Sequence, residues 1–337
     1  MVTQAMRGHE SVRPAEDDVP PFDLAGLRTC DLEARPSKVF VADLGKPLGP
    51  GATPLDFLDS LPRQLAAESL RRLVRHLVRV KQDSKLAIAA IGGHVIKTGC
   101  GPYLIDWMRR GVLGGIAMNG AAAIHDLELA VAGRTSEDVG PRLVAGEFGM
   151  ARQTADLYAH AARLAVDSGI GLGRALGGHL SRLDCRHAES SVLVQAYRLG
   201  IPCTVHVAMG TDVVHMHPVM DGAALGAATL HDFRVLTTMV SRMADGLWLN
   251  LGCAVIMPEV FLKAVSIVRN FGHSLEGLVS ANLDMIQQYR GRVNVCERPS
   301  EEGIAITGHH EILIPLVHAA TAAALAAACP DITAAAA

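Results

Sequence analysis

The chain has 337 residues, half of them hydrophobic and only 4 % aromatic, with 33 glycines and a formal net charge of −3. That length suits one large α/β domain or two smaller ones, with a core of Ala, Val, Leu and Ile. A near-neutral balance with no Lys/Arg block argues against a nucleic-acid partner. The seven cysteines are scattered without a C-x-x-C pair, a pattern of free thiols in a reducing cytoplasm.

In chain order, residues 1–22 are polar and proline-containing ("RGHESVRPAEDDVPPFD") and are expected to form a flexible arm rather than a signal peptide. Residues 23–84 read as a helical extension. There "LAAESLRRLVRHLVRV" puts Leu70, Leu73, Val74, Leu77 and Val78 on one face, with arginines opposite. From 85 to 330 short apolar runs alternate with helical patterns. Strands are expected at 86–91, 112–118, 202–208, 247–252, 275–281 and 292–297. Helices are expected at "GPYLIDWMRRG" and at about 150–168, 188–199, 222–244, 258–270 and 311–328. Strands apolar along their whole length predict a Rossmann-like, mostly parallel sheet with helices on both faces. The Ala-rich run "LVHAATAAALAAAC" is too short to span a bilayer and carries His318, so a cytoplasmic protein without a membrane partner is expected.

In such sheets ligands bind where strands end and the following loops splay apart. After the first strand, "IGGHVIKTG" offers Gly92 and Gly93 for close backbone approach, with His94, Lys97 and Thr98 beside them. Lys97 reads either as a snorkelling surface lysine or as a phosphate contact or low-pKa amine. After the second, "MNGAAAIHDLE" offers a sharp Asn119-Gly120 turn, then His125 and Asp126; Asp126 equally suits a helix cap. After the third, "VAMGTDVVHMHP" supplies Asp212, with His215 and His217 expected on one side of an extended segment. Gly252 and Glu259 follow the fourth, where Glu259 also suits a helix dipole. His309, His310 and Glu311 precede the last helix. Fifteen histidines, several at strand ends, point to acid–base chemistry near neutral pH.

Read in order, these loops resemble the deoxyhypusine synthase family over roughly residues 85–325. "NGAAAIHDLE" is similar to that family's small-residue loop, "GGHVIKTG" to its nucleotide loop, and "GIPCTVHVAMGTD" to an Ile-Pro strand leading to an aspartate that contacts NAD. "LNLGCAVIMPE" and "GHHEILIPLVHAATAAAL" resemble its Gly-rich strand end and its closing helix. The arrangement is also similar to archaeal-type NAD-dependent ornithine cyclodeaminases. The resemblance implies tightly bound NAD as a transient hydride acceptor, an amine-bearing substrate of amine or polyamine metabolism, and a homotetramer with sites between subunits. The synthase's Ser-Trp-Gly-Lys stretch is absent, since "VNVCERPSEEGIAITGHHE" stands in its place without lysine or tryptophan. The chain is therefore read as a related NAD-dependent enzyme and not as a deoxyhypusine synthase.

On that reading Gly92, Gly93, Thr98, Asn119, Gly120, Asp126, Asp212, Gly252 and His309 would hold the dinucleotide. His94, Lys97, His125, His215, Glu259, His310 and Glu311 would supply the acid–base and charge-stabilising groups. Two alternatives remain at this level. One is a metal-dependent hydrolase or lyase built on His215, His217, His309 and His310; the other is a nucleotide-binding scaffold that has lost its chemistry.

Overall fold

The computed structural model describes residues 19–328. The chain divides into two units, 1–42 and 43–337. In the first, residues 19–40 form neither helix nor strand and are exposed throughout. Their local turns are fixed by Asp23 and Asp31, whose carboxylates accept the N–H groups of Ala25 and Glu33. The arm expected over 1–22 lies outside the described residues up to residue 18.

The second unit is built on β1 (Ala87–Ile91), β2 (Gly115–Asn119), β3 (Cys203–His206), β4 (Leu247–Leu251), β5 (Val279–Asp284) and β6 (Glu302–Thr307). They form one sheet in the order β3-β2-β1-β4-β5-β6, and every pair is parallel. This is the doubly wound order in which the chain reverses direction across the sheet between β1 and β4. The helices among the described residues precede or follow these strands. α1 (Pro54–Ser60) and α2 (Leu65–Gln82) come first, then α3 (Gly93–Lys97) and α4 (Gly101–Arg109) after β1. Between β2 and β3 run α5 (Gly120–Ala132), α6 (Val139–Val144), α7 (Arg152–Asp167), α8 (Leu172–Arg182) and α9 (Val192–Leu199). α10 (Gly222–Val240), α11 (Ile256–Asn270) and α12 (His310–Ala328) follow β3, β4 and β6.

Strand alternation sorts the core into two faces. Ala87, Ala89 and Ile91 join a cluster with Leu73 and Leu77 of α2, Leu104 of α4, Leu127 of α5 and Ile314 of α12. Ile88 and Ala90 join a second cluster with Leu236 and Val240 of α10 and Phe261 of α11. In the latter, Trp248 of β4 stacks on Phe261 with ring centroids 4.0 Å apart. Both faces of β1 are thus dry, which is why its sequence reads as a continuous apolar run. α12 is long and apolar enough to cross a membrane by length and composition. Here it packs on α1, α2 and α4, and its His318 is hydrogen-bonded to Asp106 at 2.7 Å.

The outer edge of β3 is closed by side chains from α10. The Asp232 carboxylate accepts the N–H groups of Val205 and Gly173, each at 2.8 Å. Thr229 donates to the Val205 carbonyl and accepts from the Val207 N–H. An edge strand that would otherwise template another chain is satisfied internally.

Several expectations are corrected. Residues 292–297, expected as a strand, lie in a π-helical turn, Gly291–Glu297. Its Val293, Asn294 and Val295 are buried consecutively, a pattern a two-sided strand does not give when only its alternate residues face a core. The sixth strand is instead "EGIAIT", and the fifth begins four residues later than expected. α8 was not anticipated, because Gly177 and Gly178 lower its helix propensity. The segment holding His215 is a 3-10 turn over Val213–Met216, so it does not alternate with His217 as an extended chain would.

Burial raises the Asp232 carboxyl to about 7 even though backbone N–H groups favour its ionised form. A folded value above the unfolded one means that the folded state holds the proton more tightly. Stability from this group is therefore full below about pH 4 and is lost as pH rises through about 7. The stability of the wild type minus that of Asp232→Asn, measured by urea denaturation, is expected to fall by up to roughly 4 kcal/mol between pH 4 and 7.

Candidate functional site

The carboxyl edge of the sheet carries two separate groups of residues. At the reversal point, β1 and β4 are drawn together by main chain. The Gly92 N–H donates to the Leu251 carbonyl and the Gly252 N–H to the Leu283 carbonyl, each at 3.0 Å. A Cβ on Gly92 would stand 2.0 Å from the Gly252 carbonyl oxygen, so glycine is required there. Gly252 has φ +58°, and its Cα faces the His310 ring. His310 is 1 % exposed, meets the His94 ring edge-on at 5.5 Å, and reaches the Leu283 carbonyl through Nε2 at 3.3 Å. Its Nδ1 is buried without a partner. Burial pushes the imidazole below its ordinary pKa, so it is neutral at pH 7.

Beside this group lies a chain of buried amides. Asn250 donates to the Cys253 carbonyl at 2.9 Å and to Asn282 at 2.6 Å. Asn282 passes the chain to Gln287, which donates to the Ile306 carbonyl. Polar residues at paired register positions of β4 and β5 are the signal that marks them in the sequence.

The second group lines a cavity of about 710 Å³ formed by the end of α3, by α5 and α7, and by the loops after α5 and β3. That volume falls in the ~300–1,000 Å³ range of small-molecule sites. Lys97, His125 and Asp212 all line it. Asn119 caps α5 by accepting the Ala122 N–H at 2.8 Å, and Gly120 starts the helix. A Cβ on Gly120 would lie 1.9 Å from Oδ2 of Asp212, so the carboxylate is pressed onto the first turn of α5. The positive end of the helix favours a charge there. Even so, Oδ2 is buried without a hydrogen bond, and burial raises the Asp212 pKa. His215 uses Nδ1 to accept the N–H groups of Gly210 and Asp212, while its Nε2 is buried without a partner.

His125 is 20 % exposed at its side chain, and its Nδ1 lies 2.7 Å from Thr135 Oγ1. Thr135 donates to Glu128 at 2.5 Å, and the other Glu128 oxygen accepts from Thr154 at 3.0 Å. Burial, followed by the nearby Lys97 cation, pushes the His125 pKa down to about 4. Glu128, Thr135 and Thr154 were not singled out in the sequence. Glu128 lies three residues beyond His125, one helical turn along, and that spacing is the signal they offered.

The remaining expected site residues lie elsewhere. Asp126 is fully buried and faces α9, accepting from Ser191 Oγ at 2.5 Å and from the N–H groups of Val192 and Leu193. It is the cap of another helix, not of its own. Thr98 turns back to the His94 carbonyl at 3.0 Å, closing α3. Glu259 is tied to Lys263, to Arg290 at 2.9 Å and to Asn294 at 2.9 Å, which hold its carboxyl below the ordinary range. His309 and Glu311 are exposed, 3.8 Å apart. Gly93 contacts Ala121 and His125 of α5. His217 is hydrogen-bonded to the Gly149 carbonyl at 2.8 Å. No group of three or more His, Cys, Asp or Glu among the described residues could hold a metal ion, which removes the metal site expected on His215, His217, His309 and His310.

No protein-family model matches the chain, and no curated protein matches it in sequence. Its fold has counterparts among solved structures. A candidate deoxyhypusine synthase from Entamoeba histolytica is 11 % identical, with a TM-score of 0.51 over 83 % of this chain and 96 % of that one. The ternary complex of AgrE with ornithine and NAD+ is 15 % identical, with a TM-score of 0.50 over 81 % of this chain. Unliganded AgrE gives 13 % and 0.51. The chain spans about a third of AgrE. At these identities the likeness establishes the fold: an α/β sheet of the kind found in deoxyhypusine synthase-like and related NAD-binding proteins.

The two glycine contacts differ in what they meet. Gly92→Ala drives a methyl into main chain and is expected to cost at least about 3 kcal/mol. Gly120→Ala meets the end of a side chain that can swing away, and is expected to cost less than about 1 kcal/mol while displacing Asp212. Thermal unfolding of both variants checks the difference.

Proposed function

We propose that the chain is an NAD-using enzyme that acts on a small amine-bearing substrate by transient hydride transfer. The observation that carries this reading is the unpartnered Asp212 Oδ2. That oxygen is buried against the first turn of α5, while the Asp212 side chain borders a 710 Å³ cavity on the carboxyl edge of a parallel sheet in the doubly wound order. A buried acceptor without a donor costs about 1–3 kcal/mol, which rotation of the carboxylate toward a ligand hydroxyl in the cavity would relieve. The fold shared with AgrE, whose complex holds ornithine and NAD+, supports the choice of cofactor and of substrate class.

The residues present suit the dinucleotide. Asp212, which borders the cavity, would take its sugar hydroxyls. Lys97 is exposed at the cavity and would meet the phosphate charge. The bound dinucleotide supplies a hydride acceptor; the chain supplies orientation and a partly dry wall. Ile124, Leu127, Phe148 and Leu157 line that wall and exclude water from the reacting carbon. Of the groups expected to act as acids and bases, His125 and Lys97 border the cavity, whereas Glu259 is engaged by its own cations.

Calorimetric titration of the full chain with NAD+ and with NADH tests the proposal. Binding of at least one form is expected, with affinity lowered about 10- to 100-fold in Asp212→Ala, the range for a hydrogen bond to a charged group. No heat with either form, or equal affinity in the variant, overturns it.

A further inference from the structure

The hydrogen bonds around His125 can be assigned proton by proton. Thr135 has one hydroxyl proton and gives it to Glu128 at 2.5 Å, because an ionised carboxylate only accepts. The 2.7 Å contact between Thr135 Oγ1 and His125 Nδ1 must then use the Nδ1 proton. Glu128 cannot replace the hydroxyl, since its Oε2 stands 4.0 Å from Nδ1. Thr154 holds the far side of the same carboxylate at 3.0 Å. His125 Nε2 has no partner among the described residues and is not one of the buried polar atoms, and the ring borders the cavity.

From this geometry we infer that Glu128 and Thr135 are positioning residues that lock His125 as the Nδ1–H tautomer and aim a bare Nε2 at the cavity as a fixed acceptor for a ligand O–H or N–H. The inference rests on the reading of this cavity as the ligand site and adds what its wall selects. An acceptor that never carries a proton near pH 7 rejects groups without a hydrogen to donate. Burial of the ring and the charge beside it keep it in that state. Burial opposes a second proton on the imidazole first, and the Lys97 cation adds to it, while the Glu128 carboxylate is shared between two hydroxyls. Asp212 also borders the cavity, but its unpaired Oδ2 is buried against the first turn of α5, so His125 Nε2 is the bare acceptor that the open wall presents. Arg134 and Glu137 also line it, with opposite charge.

The test is ¹⁵N NMR on ligand-free protein labelled at histidine, where protonated and bare ring nitrogens resonate far apart. The wild type is expected to show Nδ1 protonated and Nε2 bare for His125, with no titration between pH 5.5 and 8. Thr135→Ser keeps the hydroxyl and is expected to retain that pattern. Thr135→Val removes it, and the Nε2–H form is expected to appear, with the amide spectrum of the rest of the chain unchanged. A wild-type His125 protonated on Nε2 overturns the inference, as does an unchanged tautomer in Thr135→Val. Because the wild-type spectrum needs no ligand and no variant, its outcome is separate from that of the NAD titration. Failure of NAD to bind would leave the tautomer standing, and a wrong tautomer would leave the cofactor standing.

Discussion

The approach of two backbones at the reversal point sets where this fold has room. Gly92 and Gly252 bring the ends of β1 and β4 so close that no Cβ fits on Gly92, and the His310 ring covers Gly252. In a doubly wound sheet that crevice is the usual place for a ligand. Here main chain and the paired His94 and His310 rings crowd it, and neither glycine lines the 710 Å³ cavity. The open space lies toward β2 and β3, under the long excursion from α5 to α7. The residues that border it come from the end of α3 (Lys97), from α5 (His125) and from the loop after β3 (Asp212).

Buried carboxylates have two distinct uses in the same half of the molecule. Asp126 and Asp232 are almost wholly enclosed, yet their oxygens are engaged by backbone N–H groups of α9, α8 and β3. They join elements that the chain places far apart in sequence, 66 residues in one case and 59 in another. Asp212 is enclosed without such partners at Oδ2. A folded chain accepts an unpaired buried oxygen only where something else is gained. The contrast separates two aspartates that join distant elements from one whose Oδ2 is left unpaired.

Much of this was legible in the sequence and part was not, for reasons that can be named. β1 and β4 were readable because both of their faces are dry, which leaves apolar runs ending at Gly92 and Gly252, broken only by Asn250 in β4. β6 was not, because one face is partly exposed and Glu302 and Gly303 interrupt the pattern. "RVNVCE" imitates a strand by alternation, yet it is wound into a π-helical turn between α11 and the last two strands. Among the candidate residues, strand-end position alone picked out Lys97, His125 and Asp212, which line the cavity. The same criterion also picked out Asp126, Thr98 and Glu259, whose partners are remote in sequence or lie in the next helical turn. Sequence spacing places a side chain on an element but does not say which neighbour will claim it. The Thr135–Glu128 relay escaped notice for that reason: a threonine past the end of α5 carries no mark of the imidazole it meets.

The central claim is that one nicotinamide dinucleotide is held on the β2–β3 side of the carboxyl edge. Hydrogen–deuterium exchange of the full chain with and without saturating NAD+ addresses it most directly, because it reports where the backbone is protected without assuming which residue matters. The account expects slowed exchange in 93–98, 120–135 and 208–217, with the loops at 252–259 and 309–311 unchanged. Protection confined to those latter loops, or none anywhere, would contradict it.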